Sequence, residues 1–117
     1  MNIEAMRQRL KEQAGPGAGM ILIHNGIVRG STRAGEPVSS IEVEADMARL
    51  EEILHEARSM EGILAVEAEI NTGRLEIGQD IMLLGVAGDI REHVISCLRQ
   101  TLDRIKAEVT SKKEFRP

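Results

Sequence analysis

The segment from Ile81 to Ala87 restricts the fold more than any other part of this chain, because it is apolar on both faces when it is read as a strand. A strand with one face in water alternates apolar and polar residues, whereas this segment requires cover on both sides. We therefore predict a central strand, with Gly88 allowing a tight exit from it. The segment is far too short to cross a bilayer.

Other segments around this strand predict the rest of a sheet. Met20 to Val28 reads as a buried strand that continues across a bulge. Val38 to Glu44 and Ile63 to Ile70 alternate in polarity and are expected to be half-buried strands. The turn at 71–73 then leads into a short strand from Arg74 to Gly78.

Three segments carry apolar residues at helical spacing. Met1 to Ala14 predicts a short lead-in helix that ends at the Gly15-Pro16-Gly17 break. Asp46 to Met60 has one apolar stripe and predicts an amphipathic helix. Asp89 and Glu92 have the spacing of a capping box at the start of the last helix. The buried stripe of that helix is expected to consist of Ile90, Val94, Leu98, Leu102, Ile105 and Val109.

These elements predict an α+β fold, with two amphipathic helices packed on a mainly antiparallel sheet and a short N-terminal helix before them. The length of 117 residues fits a single domain, 1–117, in which residues 1–16 form the lead-in helix and linker. An apolar fraction of 42% supports one core, which must be aliphatic because aromatic residues are nearly absent.

Composition also excludes several classes of function. The formal net charge is −4, and the chain has no Trp, no Tyr and one Phe, so we expect no nucleic-acid partner. Cys97 is the only cysteine, which excludes an internal disulfide and favours a cytoplasmic location. The N-terminus alternates charged and apolar residues, unlike a signal peptide. We expect no membrane partner.

Lysines near the C-terminus are the first candidates for chemistry. Lys106 falls at the end of the last helix, and Lys112 and Lys113 follow just past it. A lysine held beside other cations and partly removed from water can act as a nucleophile, an acid or an anion clamp. The C-terminal tail is therefore the first place to look for chemistry.

Arginines add to these candidates in two further places. Arg29 and Arg33 lie beside and within Gly30 to Pro37, whose turn-forming residues predict an exposed, flexible loop. Arg91 lies in the first turn of the last helix, where free N–H groups and the helix dipole favour a phosphate. For each arginine alone, a solvated surface position is the alternative. The set becomes significant only where its members converge in space.

The histidines and the cysteine are expected to be structural. His24, His55 and His93 lack the spacing of metal ligands, so we predict no metal site and no resident cofactor. Cys97 lies near the buried stripe and is expected to be a packed thiol.

Several short motifs, taken in order, resemble the large, catalytic subunit of molybdopterin synthase. The resemblance covers about residues 17–114. The motifs are Gly26-Ile27-Val28-Arg29, Gly73-Arg74-Leu75-Glu76-Ile77-Gly78, the apolar strand leading to Arg91, and Ile105-Lys106 followed by Lys113-Glu114.

This resemblance implies an α/β hammerhead-like fold and a sulfur transfer in molybdenum cofactor biosynthesis. Sulfur passes from the C-terminal Gly-Gly thiocarboxylate of a small ubiquitin-like subunit to cyclic pyranopterin monophosphate. Lys106 and Lys113 correspond to the catalytic lysines of the family. Arg29 and Arg91 match arginines of the same pocket, beside which Arg33 and Lys112 are expected to bind substrate. The resemblance also implies a homodimer within a heterotetramer.

The sequence departs from the family pattern at several positions. Ile90 stands where the family usually has a histidine, Ile70-Asn71 replaces a His-Arg pair, and Thr110-Ser111-Lys112 replaces Pro-x-Trp. The chain ends at Pro117, whereas members commonly continue and supply another arginine. Two functions remain open: a sulfurtransferase subunit, and a non-catalytic relative that keeps the fold and binds a ubiquitin-like protein tail. Composition alone indicates only a small α+β binding module.

Overall fold

The computed structural model describes residues 1–117 and has an α+β fold, as predicted, with three helices and six strands. A single 3-10 turn, Gly15–Gly17, joins the first helix to the first strand. In chain order the elements are α1 (Ile3–Ala14), β1 (Met20–Ile27), β2 (Ser40–Ala45), α2 (Met47–Arg58), β3 (Ile63–Ile70), β4 (Gly73–Glu76), β5 (Asp80–Gly88), α3 (Arg91–Glu108) and β6 (Thr110–Phe115).

The first sheet has the antiparallel strand order β1-β5-β3, so β5 is its central strand, as the sequence predicts. Alternate residues of β5 point to opposite faces. Leu84 and Val86 pack into the core beneath α2 and α3, whereas Leu83 and Ala87 pack against α1. Because helices cover both faces, the strand has no polar side. None of the helices is both long and apolar enough to span a membrane.

The N-terminal helix α1 forms a layer of its own, although its sequence suggests only a lead-in element. Met6 and Leu10 are fully buried against the first sheet. Gly85 permits this close approach, since a Cβ atom there would lie 2.6 Å from Leu10 Cδ1. Asn2 caps the helix by accepting a hydrogen bond from the Ala5 N–H at 2.9 Å. The helix is therefore part of the folded domain.

The second sheet has the antiparallel order β4-β2-β6. The sequence predicts β2 and β4 but gives β6 as a tail, because Phe115 is the only apolar residue of this strand. An edge strand pairs on one side only and has little to bury, so its polarity pattern is weak. Ile41, Val43 and Leu75 on the inner face of this sheet form a separate core with Val28 and Val38, which lie outside the strands.

The start of α3 differs from the prediction. The N-cap is Ile90, which is half exposed rather than part of the buried stripe, and no side chain caps the helix. Asp89 instead accepts hydrogen bonds from the Ile90 N–H at 2.7 Å and from His93 Nδ1 at 2.8 Å. The fully buried Cys97 lies on the buried face of α3, where burial raises the pKa of the thiol, in agreement with a packed rather than a reactive cysteine.

Candidate active site

A cavity of about 920 Å³ opens between the two sheets at the C-terminal end of α3. The end of β1 and the loop that follows it form one wall, and β6 forms the other. A bulge between Gly26 and Ile27, as predicted, directs the chain from β1 towards the loop. Ile41 and Val43 of β2 form the apolar floor. A single concave site therefore draws on both sheets and one helix end.

Lys106 enters this cavity from the last turn of α3. Ile105 and Val109 are buried on either side of it in sequence and fix the helix end against the core. The C-terminal end of a helix carries partial negative charge, which favours a cation at this position. Lys106 is thus held at the cavity by packing while its charged group stays accessible.

The two tail lysines lie on opposite faces of β6. Lys112 pairs with the buried Val43 and lines the cavity, whereas Lys113 pairs with the exposed Glu42 on the other face. The Lys113 ammonium lies 5.3 Å from the centre of the Phe115 ring, a cation–π distance. Because residues of a strand alternate between faces, only Lys112 joins Lys106 in the cavity.

Arg29 and Arg33 line the cavity from the loop after β1. Arg29 Nε donates a hydrogen bond to the Ser31 carbonyl at 3.0 Å, which orders the start of the loop. The far side of the loop is tied to the end of the chain, where Arg116 Nη1 lies 3.3 Å from Glu36 Oε2. The loop is exposed, as predicted, and it carries both arginines to the site.

Cations outnumber carboxylates at this cavity, although the whole chain has a formal net charge of −4. The cationic side chains are Arg29, Arg33, Lys106, Lys112 and Arg116, and the carboxylates are Glu36 and Glu114. A concave, cation-lined site concentrates positive potential and attracts small anions. Four of the six candidate site residues, Lys106, Lys112, Arg29 and Arg33, therefore lie around one cavity. Their roles in binding or catalysis stay predictions.

Arg91 lies apart from this cavity in the single chain. Its side chain is 79% exposed, and its Nε lies 3.4 Å from Glu92 Oε1. Since an α-helix rises about 1.5 Å per residue, Arg91 is roughly 22 Å along the α3 axis from Lys106. A role for Arg91 in the same pocket remains a prediction, and so does a role for Lys113.

Sequence reasoning missed two residues of the cavity, His24 and Arg116. His24 continues the face of β1 on which Met20 and Leu22 pack towards the main core, so strand alternation offered a signal for it. Burial lowers the pKa of His24, and the charge of Lys106 lowers it further. Arg116 follows an unpredicted strand, and no pattern in the sequence indicated its position.

The cavity suits chemistry in which negative charge is bound or develops. Lysine and arginine cations stabilise such charge most strongly where they are already in position before the reaction. Arginine can also hold two oxygens of one anion, which fixes its orientation. The site therefore suits a ligand with a phosphate or a carboxylate-like terminus.

A sequence profile described as "MoaE protein" matches residues 1–108. The chain belongs to the MoaE family. The matched residues include Lys106 and both loop arginines, while β6 with Lys112 and Lys113 follows the match. The resemblance noted in the sequence is thus confirmed at the level of the family. A comparison with curated protein sequences gives no match.

Solved structures with this fold include molybdopterin synthase from Staphylococcus aureus, with a TM-score of 0.84 at 23% identity, which covers 100% of this chain and 86% of that one. The molybdopterin biosynthesis MoaE protein from Burkholderia ambifaria has a TM-score of 0.78 at 24% identity, with coverage of 100% and 81%. A complex of subunits 1 and 2 of molybdopterin-converting factor from Helicobacter pylori gives 0.72 at 19% identity, covering 95% and 75%. These similarities establish that this MoaE-family chain has the family fold.

Proposed function

We propose that this chain is the catalytic subunit of a molybdopterin synthase. It transfers sulfur from the C-terminal thiocarboxylate of a small ubiquitin-like subunit to cyclic pyranopterin monophosphate. The observation that carries the proposal is the convergence of Lys106 and Lys112 with Arg29 and Arg33 around one cavity. The reaction is inferred from membership of the MoaE family. The cavity has cationic groups suited to both anionic reactants, the thiocarboxylate and the substrate phosphate.

The thiocarboxylate tail fits the chemistry of the cavity. A terminal Gly-Gly segment has no side chains, so it can enter a cleft that a bulkier segment could not. Its negative terminus would bind the Lys106 and Lys112 ammonium groups through charge-assisted hydrogen bonds. The Helicobacter pylori structure is a complex of two subunits, which supports a small-subunit partner for this chain as well.

The substrate phosphate would bind the loop arginines. Arg29 and Arg33 lie on the loop wall, Lys112 lies on the β6 wall and Lys106 enters from α3, so a substrate held by the arginines would share the cavity with the tail. Holding two reactants in one orientation removes most of the entropic cost of their encounter. The sulfur would form its new bond to a carbon of the substrate, and water would then add to the acyl carbon that still carries it. The lysines would stabilise the negative oxygen that develops at this carbon before the carbon–sulfur bond breaks, which leaves the sulfur on the substrate and a carboxylate on the tail.

The second lysine of the site is Lys112 in this proposal. Sequence spacing favours Lys113, but the β6 register directs that side chain to the opposite face, beside Phe115. A shift of one residue along a strand exchanges its two faces, so spacing alone cannot distinguish neighbouring lysines. Only Lys112 shares the cavity with Lys106.

We also propose that the active form is a homodimer within a heterotetramer in the cytoplasm. The helix rise of about 1.5 Å per residue keeps Arg91 far from Lys106 in one chain. If both residues serve one pocket, as the resemblance implies, Arg91 must come from a second copy.

The second candidate is a non-catalytic relative that binds a ubiquitin-like tail. Ile90, where the family usually has a histidine, favours it, because an apolar and half-exposed side chain cannot transfer a proton. Only the synthase would turn over substrate, whereas both candidates would bind the tail.

A reconstituted assay distinguishes them. Purified protein, a thiocarboxylated small subunit and cyclic pyranopterin monophosphate are combined, and the dithiolene product is quantified beside a Lys106→Ala variant. Product that is lost in the variant supports the synthase. Stable binding of the small subunit without product would favour the tail-binding relative, and neither binding nor product would refute both.

A further inference from the structure

His24 is a half-buried imidazole that lies outside the family motifs quoted above. It lines the cavity from β1, opposite Leu84 of the central strand. A Cβ atom on Gly26 would lie 3.4 Å from His24 Nε2, so the glycine leaves space beside the ring. No hydrogen bond contributes to the pKa of His24, which leaves its ring nitrogens available to a ligand.

Several charged groups line the same cavity as this imidazole. Lys106 does so from α3, Lys112 and Glu114 from β6, Arg29, Arg33 and Glu36 from the loop, and Arg116 from the end of the chain. Leu84, its partner on β5, carries no charge. Burial and the charge of Lys106 both lower the pKa of His24, so both favour the neutral ring when the cavity holds no anion.

We propose that His24 is an anion-binding residue of the cavity that is neutral in the free protein and takes up a proton when a doubly charged anion binds beside Lys106. A bound dianion offsets the positive charge that faces the ring and supplies an acceptor for an added N–H donor. The proposal rests on the proposed function only in requiring that the cavity bind an anion. It does not depend on turnover.

The sign of the pH dependence follows from linkage. A ligand that raises the pKa of a group is bound together with protons, so its affinity increases as the pH falls from the bound-state to the free-state pKa of His24. Below the free-state pKa the ring is protonated in both states, and the gain ends. For a shift of about one pH unit in pKa, the affinity changes about tenfold across that window.

Inorganic sulfate is the probe, because it remains a dianion across this range and its own titration cannot produce the effect. Titration calorimetry at constant ionic strength, in two buffers with different ionisation enthalpies, counts the protons taken up. The ¹H–¹³C signal of the His24 ring, assigned with a His24→Gln variant, gives its pKa with and without sulfate. His93, which does not line the cavity, serves as an internal control and reports that the variant is folded.

Sulfate is expected to raise the pKa of His24 while leaving that of His93, which lies outside the cavity, unchanged. His24→Gln should lose the proton uptake, and Lys106→Met should raise the pKa of His24 in the free protein. Failure of sulfate to bind, or binding that leaves the His24 titration unchanged, would overturn the proposal. If these results are obtained but the reconstituted assay gives no product, the proposal of sulfur transfer is refuted and the proposal of an anion site at His24 is supported.

Discussion

Substitution of Leu10 by alanine should strongly destabilise the protein, because α1 is a packed layer. Leu10 is fully buried in a small cluster with Met6, Ala65, Leu83 and Ala87. A buried Leu→Ala change costs about 2–5 kcal/mol, depending on how well the surroundings collapse. The cluster rests on a rigid sheet that cannot follow the lost side chain, so we expect about 3 kcal/mol.

Ile3→Ala is the matched control. Ile3 lies in the same helix with 47% of its surface exposed, so its loss removes little buried area. Alanine also has the higher helix propensity, which offsets part of that loss. We expect a change within about 0.5 kcal/mol for the control, as for surface substitutions in general.

Urea denaturation followed by circular dichroism provides the assay. For Leu10→Ala the urea concentration at the midpoint should fall. The dependence of the unfolding free energy on urea should stay unchanged, because unfolding exposes nearly the same surface area. Thermal unfolding should shift down by roughly 10 °C, at about 4 °C per kcal/mol for a domain of this size. If Leu10→Ala matched Ile3→Ala in stability, α1 would not be docked, and its description as a layer packed on the first sheet would be refuted.

Three further predictions concern the end of the molecule away from the cavity and the buried thiol. The hydrogen bond to Asp89 raises the pKa of His93 in the folded protein. The stability that the protonated His93 contributes is therefore fully present below its unfolded-state pKa and is lost as the pH rises through its folded-state pKa. Unfolding free energies of His93→Gln measured from about pH 5 to 8 should therefore lack this decline. Gly62→Ala should lower stability by more than about 2 kcal/mol in the same urea assay, because the added Cβ would lie 2.2 Å from His93 Nδ1 and φ is +74°. Cys97 should react with a thiol reagent only at the rate of opening or unfolding, and fast labelling of the native protein would contradict its burial.

The parts of the fold that were predictable are those whose burial leaves a regular pattern. The Ile81 to Ala87 run identified the central strand because two-sided cover demands apolar residues on both faces. Ile63–Ile70 was predicted with the bounds it has in the structure. Thr110–Phe115 was not, because an edge strand with exposed lysines satisfies its backbone through β2 and needs no apolar face. Ile90 was misassigned because helical spacing does not reveal where a helix begins.

The candidate site was predictable in composition but not in geometry. Lys106 could be placed because the buried Ile105 and Val109 define the helix end around it. The choice between Lys112 and Lys113 required the β6 register, and therefore the missed strand. His24 was set aside because a lone histidine is usually structural, and only the three-dimensional arrangement places it beside Lys106.

The most direct test of the account compares turnover of Lys112→Ala and Lys113→Ala in the reconstituted sulfur-transfer assay. Both variants remove one lysine from adjacent, exposed positions of the same strand, so they have the same change in charge and similar effects on stability. Loss of one pre-positioned cation that stabilises developing charge costs about 10²–10³ in rate. We predict a loss of that order for Lys112→Ala and nearly full activity for Lys113→Ala. The reverse result would contradict the assignment of the cavity as the active site.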